Sequence, residues 1–415
     1  MNVYVNEVVK FGGSCLATPG DFRKAAEKVA REIRSGRTVI VVVSALRGVT
    51  DQLLTLAKEA TSGRVTDEAL DDIASMGERT SMRIMASSLR ALGVKTREVD
   101  PSSPKWPIFT DAHYGNARID LEKTRRAVND HILPLLRGEM VVVIPGFIGL
   151  SPDGKVTTLG RGGSDITAMV LGDCTNAEEV IFVKDVAGIL SADPKKVKEP
   201  TKIDALNAEE ALSLASAGAK VVHPKALRYK NDTTVLRVVG FDEPSLSGGT
   251  VVMGRLKAEL IVELHPVPLA MLTLITQDRT LGNIARLLST LASSEGELLG
   301  LTVSSTAILL YVENPDEMVV KRLHDTINDE KLAKAIHHHD SLAMIVVSGY
   351  ALESIPGIMD VVVSPLAEGN INLFGVFTIS SSIRLFVPWE DRVTALSSVK
   401  YVLREIKEGS GGRSK

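Results

Sequence analysis

The chain has 415 residues, 44% of them apolar, with 48 Lys and Arg against 51 Asp and Glu and a formal charge of −3. That length holds two or three domains, each able to bury a core. The near-neutral charge argues against nucleic acid or an anionic membrane as partner, and no apolar run reaches the roughly 20 residues of a membrane span.

Residues 3–9 read as a strand that runs straight from the start of the chain, with no signal-peptide pattern. The string Lys10-Phe11-Gly12-Gly13-Ser14 follows it. Bare glycine backbone can approach a polyphosphate and point its amides at oxygen, and Lys10 adds a point charge. The string has neither P-loop nor dinucleotide-fingerprint spacing, and alone it is equally a turn. Cys15 and Cys174 give no disulfide framework and suit a reducing, cytoplasmic setting. Thr18-Pro19 has the chemistry of a helix start, after which Phe22, Ala25, Ala26, Val29, Ala30 and Ile33 mark one face.

Residues 39–43 are continuously apolar, as in a strand covered on both sides. Ser44 and Thr50 bracket the next loop, where their hydroxyls either bind an ammonium or carboxylate or simply end the strand and cap a helix. A helix is expected over 69–91, and Gly77 inside it costs about 1 kcal/mol relative to alanine, so something there needs close approach. Its neighbour Glu78 can bind an ammonium group or stand as a solvated carboxylate.

A strand at 140–144 and a short hairpin lead to the most informative string, Gly160-Arg161-Gly162-Gly163-Ser164-Asp165. Arg161 suits a bidentate grip on a carboxylate, and the glycines open a helix whose first amides favour an anion. Asp165 can hold a magnesium-bound water, orient Lys10 or complement the helix dipole. Two anion cradles in one domain point to a kinase of a small acid. After a strand at 180–183, Lys184-Asp185 offers a partner for a ribose hydroxyl and Asp193-Pro194-Lys195 one for phosphate. Lys220 lies near the same edge, and His223 reads as a structural hydrogen-bonder. With another strand at 235–239, the expectation is a mostly parallel α/β sheet sandwiched by helices, its ligands at the strands' carboxyl ends.

A linker is expected within 242–260, and beyond it the pattern changes to a tandem βαββα repeat of about 70 residues. The first repeat spans 260–335 and the second, whose opening strand is expected at 341–348, spans 336–407; 408–415 form a flexible tail. His337-His338-His339-Asp340 is no metal site by this reading, because neighbours on a strand or helix cannot all face one ion.

Together these strings resemble aspartate kinases of the amino acid kinase superfamily. The resemblance rests on 10–14, 44–50, Ser75-Met76-Gly77-Glu78, 158–165, Asp193-Pro194 and Gly218-Ala219-Lys220-Val221-Val222-His223-Pro224, and it covers nearly the whole chain in order. It implies a monofunctional enzyme with 1–255 as the catalytic domain and the repeats as paired ACT domains. The implied reaction transfers the γ-phosphate of ATP to the β-carboxylate of L-aspartate, with Mg2+ carried by ATP and no side-chain metal site. It would open lysine, threonine and methionine synthesis. By the resemblance Ser44, Thr50, Glu78, Arg161 and Ser164 hold aspartate, while Lys10, Gly12, Gly13 and Asp165 serve the transfer. Ser14, Lys184, Asp185, Lys195 and Lys220 would join Lys10 and its glycines around the nucleotide. Lysine or threonine would act as effector near Asn370 and Asn372, and the repeats would pair subunits into a dimer or larger assembly.

Cys15 stands where that family commonly has serine, Lys184 replaces a threonine, Leu190 an aromatic and Lys195 an arginine, and the turn at 294–299 lacks the usual asparagine. A glutamate or uridylate kinase of the superfamily, or a catalytically idle amino acid sensor, are the alternative readings.

Overall fold

Strands made of valine and isoleucine need cover on both faces, and helices supply it here. The computed structural model describes the chain apart from residues 1–3, 138–139, 220–221, 257–259, 293–295, 314–316, 350–351, 353–355, 380 and 410–415, with 405–409 described by backbone alone. It divides into two compact units, Met1–Leu256 and Lys257–Lys415.

In chain order the first unit holds β1 (Glu7–Phe11), α1 (Pro19–Arg34), β2 (Val39–Val43), α2 (Val49–Ala60), α3 (Asp67–Ala91), β3 (Thr96–Glu98), α4 (Leu121–Ala127), α5 (Leu133–Leu136) and β4 (Val141–Pro145). There follow β5 (Ile148–Leu150), β6 (Val156–Thr158), α6 (Gly163–Thr175), β7 (Glu179–Lys184), β8 (Ala205–Asn207), α7 (Ala208–Ser216), α8 (Pro224–Leu227), β9 (Val235–Gly240) and β10 (Thr250–Met253). Every residue of β1, β2 and β4 is buried.

Eight strands form one sheet in the order β3-β4-β2-β1-β7-β9-β10-β8. It is parallel from β3 to β9, and β10 turns antiparallel to β9. β1 lies centrally, with Lys10 opposite Val42 on one side and Phe182 on the other. The carboxyl ends of β1, β2 and β7 therefore open on one crevice. α1 starts as its residues dictate: Thr18 accepts from the Asp21 N–H in a reciprocal capping box, with Pro19 next. Its face packs Phe22, Ala25, Ala26, Val29 and Ala30 against the sheet core.

Two local expectations change. The first strand runs Glu7–Phe11 rather than 3–9, because both neighbours offer ladder partners that far, so Lys10 lies in the strand rather than beyond it. The linker expected within 242–260 narrows to the end of that range, since the units divide after Leu256 while the loop at 245–249 joins two adjacent strands of this sheet and buries Leu246.

The second unit holds β11 (Ile261–Leu264), β12 (Leu269–Ile275), α9 (Leu281–Leu291), β13 (Leu298–Val303), β14 (Ala307–Glu313), α10 (Glu317–Glu330), β15 (Ala335–Ser348), α11 (Ile358–Glu368), β16 (Gly375–Ile379), β17 (Ser382–Pro388) and α12 (Arg392–Gly409). Its antiparallel sheet has the order β13-β14-β12-β15-β17-β16, with β11 also paired to β15. β15 begins at Ala335, well before the expected 341, since its first half pairs with β12 and its second with β17 and β11. One strand thus serves both halves. β16 pairs with β17 from Gly375 to Ile379. His337, His338 and His339 sit on β15 opposite Thr273, Leu272 and Met271. Among the described residues, no helix is long and apolar enough to cross a membrane.

Candidate functional site

Glycine lets three chain segments meet where a side chain would hold them apart. A Cβ at Gly13 would lie 2.8 Å from the Ala45 carbonyl oxygen, so the first glycine string packs directly on the loop after β2. A Cβ at Gly77 would lie 2.8 Å from the Ala45 Cβ. That is the close approach the sequence implied, and it brings α3 with Glu78 against the same loop.

The second string leaves β6 through Gly160 and Gly162, both in the left-handed region at φ +71° and +77°. A side chain at Gly162 would also collide with the His223 ring. These turns deliver Arg161 to the surface and start α6 at Gly163, with Asp165 in its first turn.

A cavity of about 460 Å³ opens at this edge. Of the residues singled out in the sequence, Lys10, Gly13, Ser14, Ser44, Thr50, Glu78, Arg161, Ser164, Asp165 and Lys184 line it. Gly12 is not part of the wall, although a Cβ there would lie 3.4 Å from the Lys10 Nζ. Asp185 and Lys195 are exposed and also outside that wall, the latter in a loop where its N–H donates to Asp193 at 2.9 Å. Lys220 lies outside the described residues.

At the cavity floor the Lys10 Nζ is 2.7 Å from the Asp165 Oδ1, and the Lys184 Nζ is 3.4 Å from Oδ2. The His223 backbone N–H donates to Oδ2 at 3.2 Å. Burial opposes the Asp165 charge, yet Lys10 and Lys184 outweigh it and hold the carboxyl well below the usual range. Burial draws the Lys10 ammonium down, against the pull of Asp165. Burial pushes the Glu78 carboxyl up to about 7, although the Ala45 N–H favours its ion. Its Oε2 is buried and has no hydrogen-bond partner among the described residues. Such an oxygen suits an incoming ammonium group. Arg161 is exposed on the wall.

Among the wall residues that escaped the sequence reading are Phe147, Arg47 and Asp51. Phe147 has φ +71°, a strained geometry for an aromatic residue, and donates its N–H to the Thr167 Oγ1 at 3.1 Å. Only its place after Gly146 at a strand end hinted at it. Arg47 passed as a spacer between Ser44 and Thr50; it is exposed at the cavity wall. In the second unit, Asn370 has φ +52° just past α11, which explains an asparagine there as a helix stop, and Asn372 is exposed.

The Amino acid kinase family model matches residues 7–239. The chain is 28% identical over 424 aligned residues to an aspartokinase of Geobacillus stearothermophilus, covering 97% of this chain and 95% of that one. It shares its fold with the aspartate kinase from Synechocystis, at a TM-score of 0.73 and 24% identity, over 96% of this chain and 69% of that one. It is similar in fold also to E. coli aspartokinase III in complex with aspartate and ADP, at a TM-score of 0.56 and 23% identity, over 96% of this chain and 100% of that one. The lysine and aspartate complex of that enzyme gives a TM-score of 0.55 at the same identity, over 96% and 99%.

Proposed function

The chain belongs to the amino acid kinase family, and from that premise we propose that it is an aspartate kinase. It transfers the γ-phosphoryl group of ATP to the β-carboxylate of L-aspartate, giving 4-phospho-L-aspartate and ADP. The observation that carries this reading is that Lys10, Glu78 and Arg161 line one cavity: a cation for phosphate, a carboxylate for ammonium and a guanidinium for carboxylate.

In this reading Glu78 takes the substrate ammonium through its unpartnered oxygen, Arg161 grips a carboxylate, and the Ser44, Thr50 and Ser164 hydroxyls complete the acceptor pocket. The acceptor needs no general base, because a β-carboxylate with pKa near 3.9 is already ionised at neutral pH. The chain's contribution is alignment and charge neutralisation. Lys10 neutralises the phosphoryl oxygens while Asp165 holds its ammonium in place, and Gly13 and Ser164, on the same cavity wall, would offer backbone amides to that anion. Lys184, Asp185, Lys195 and Lys220 would border the nucleotide. Asp165 is already balanced by two lysines, so it fits a positioning group rather than a metal ligand. Magnesium would arrive on the triphosphate and supply charge neutralisation there.

We take residues 1–255 as the catalytic part, with 260–335 and 336–407 as ACT-like repeats and 408–415 as a tail. The repeats would pair subunits and hold a lysine or threonine effector near Asn370 and Asn372, and a cytoplasmic setting would keep both free cysteines reduced. ADP release with L-aspartate as sole acceptor, repeated with added lysine and threonine, tests the reading. Turnover of aspartate is expected; release of ADP that no concentration of aspartate increases would refute it.

A further inference from the structure

Asp71 is a charged residue with only 4% exposure, and it is not part of the cavity wall. It stands on α3 seven residues before Glu78, so the two share one helix face, two turns apart. Its carboxylate collects donors from two other segments. The Thr158 N–H donates to Oδ2 at 2.7 Å, the Thr158 hydroxyl donates to Oδ1 at 2.7 Å, and the Gly115 N–H reaches both oxygens at 3.0 and 2.9 Å.

Those segments are the footing of the second cradle. Thr158 ends β6, two residues before Gly160. The Thr158 carbonyl accepts from the Ala117 N–H at 2.8 Å. The loop carrying Gly115 and Asn116 packs so closely on Gly160 that a Cβ there would meet both at 3.0 Å. Asn116 is itself fixed by the Lys225 Nζ at 2.7 Å. One buried carboxylate therefore ties the helix that carries Glu78 to the stem and flank of the turn that carries Arg161.

We propose that Asp71 is a positioning residue that sets the separation between the ammonium-binding Glu78 and the carboxylate-binding Arg161, and with it the acceptor chain length the site prefers. The inference rests on the aspartate kinase reading for the identity of that acceptor. With Arg161 on the side-chain carboxylate, an acid one methylene longer carries that group farther from its ammonium, and a rigid separation rejects it; a displacement near 1 Å at such a site costs about 100-fold. Asp71 touches no substrate and acts through the two groups it braces.

Asp71→Asn places an amide donor among N–H donors and removes the charge. Thr158→Val keeps the backbone bond but deletes the hydroxyl, and Thr158→Ser restores a hydroxyl. The full chain is assayed with ATP and either L-aspartate or L-glutamate, alongside thermal unfolding. Asp71→Asn is expected to raise the KM for aspartate about tenfold or more, with the KM for ATP within about twofold, and to narrow the kcat/KM preference for aspartate over glutamate. Thr158→Val should move the same two quantities in the same direction, and Thr158→Ser should return them to wild type. Should Asp71→Asn fail to fold, Thr158→Val decides. Parallel rises in both KM values, or a lowered Tm with unchanged selectivity, would overturn the proposal. If the wild-type chain phosphorylates another acid instead of aspartate, the functional reading fails separately, and the same variants are scored on that acid.

Discussion

Lys10 and Asp165 lie 155 positions apart in sequence, yet their charged atoms are 2.7 Å apart and each side chain is only 7% exposed. The pair joins the two glycine strings at their base. Lys10 sits at the end of the central strand and Asp165 in the first turn of α6, so sheet and helix each hold one partner. The lysine of the first string and the arginine of the second consequently share a single cavity.

Removing one member should separate activity from stability. Asp165→Asn leaves Lys10 and Lys184 facing each other without their counterion and is expected to lower kcat by about 100-fold or more, with a marked drop in Tm. The double variant Lys10→Met with Asp165→Asn should recover part of the Tm and none of the kcat. Recovery of activity in the double variant would show that the pair is only structural.

Arg161 is exposed on the cavity wall. Replacing it with alanine would delete the charge-assisted bidentate contact proposed for it, expected to raise the KM for aspartate by about 10- to 100-fold while the KM for ATP stays within about twofold. Steady-state kinetics with each substrate varied in turn distinguishes this from a change in nucleotide binding. An unchanged aspartate KM would remove Arg161 from the acceptor site.

Burial disfavours the Glu78 ion and pushes its carboxyl up to about 7. Below that pH the free protein holds a proton on the oxygen that an ammonium needs; above it the carboxylate is ready. The kcat/KM for aspartate should therefore rise with pH, by about tenfold between pH 6 and 8 for a single such group. Glu78→Gln should lower it throughout and flatten the profile. A wild-type profile already flat across this range would contradict the assignment.

Gly77 accommodates the Ala45 Cβ. Gly77→Ala improves helix propensity by about 1 kcal/mol yet pushes α3 away from the loop that bears Ser44 and Thr50. The KM for aspartate should rise several-fold with little loss of Tm, and adding Ala45→Gly should reverse it. Failure of the second change to rescue the first would place the effect elsewhere.

Local chemistry made much of this legible. The Thr18-Pro19 helix start, the doubly covered strand at Val39–Val43 and the two glycine strings are written in adjacent residues, and each lies where its local pattern demands. The fold beyond that depends on partners distant in the chain. β11 was not foreseen and β15 was read as half its length, because only pairing with β12, β17 and each other makes those residues strands. Lys184, which replaces the family's threonine on the nucleotide side, also reaches the Asp165 carboxylate, a contact that nothing in its neighbours announces. Asp71 carried no signal at all: a helical aspartate declares its purpose only when Thr158, 87 positions later, folds onto it.

The central claim is that two glycine strings close on one pair of anions and join them. Incubation of the protein with ATP, magnesium and L-aspartate in the presence of hydroxylamine tests it most directly, since an acyl phosphate is trapped as its hydroxamate. The account predicts aspartyl hydroxamate forming in step with ADP, little glutamyl hydroxamate when L-glutamate replaces aspartate, and no phosphoryl transfer to UMP. Hydroxamate absent while ADP accumulates, or the γ-phosphoryl group recovered on UMP or glutamate instead, would contradict it.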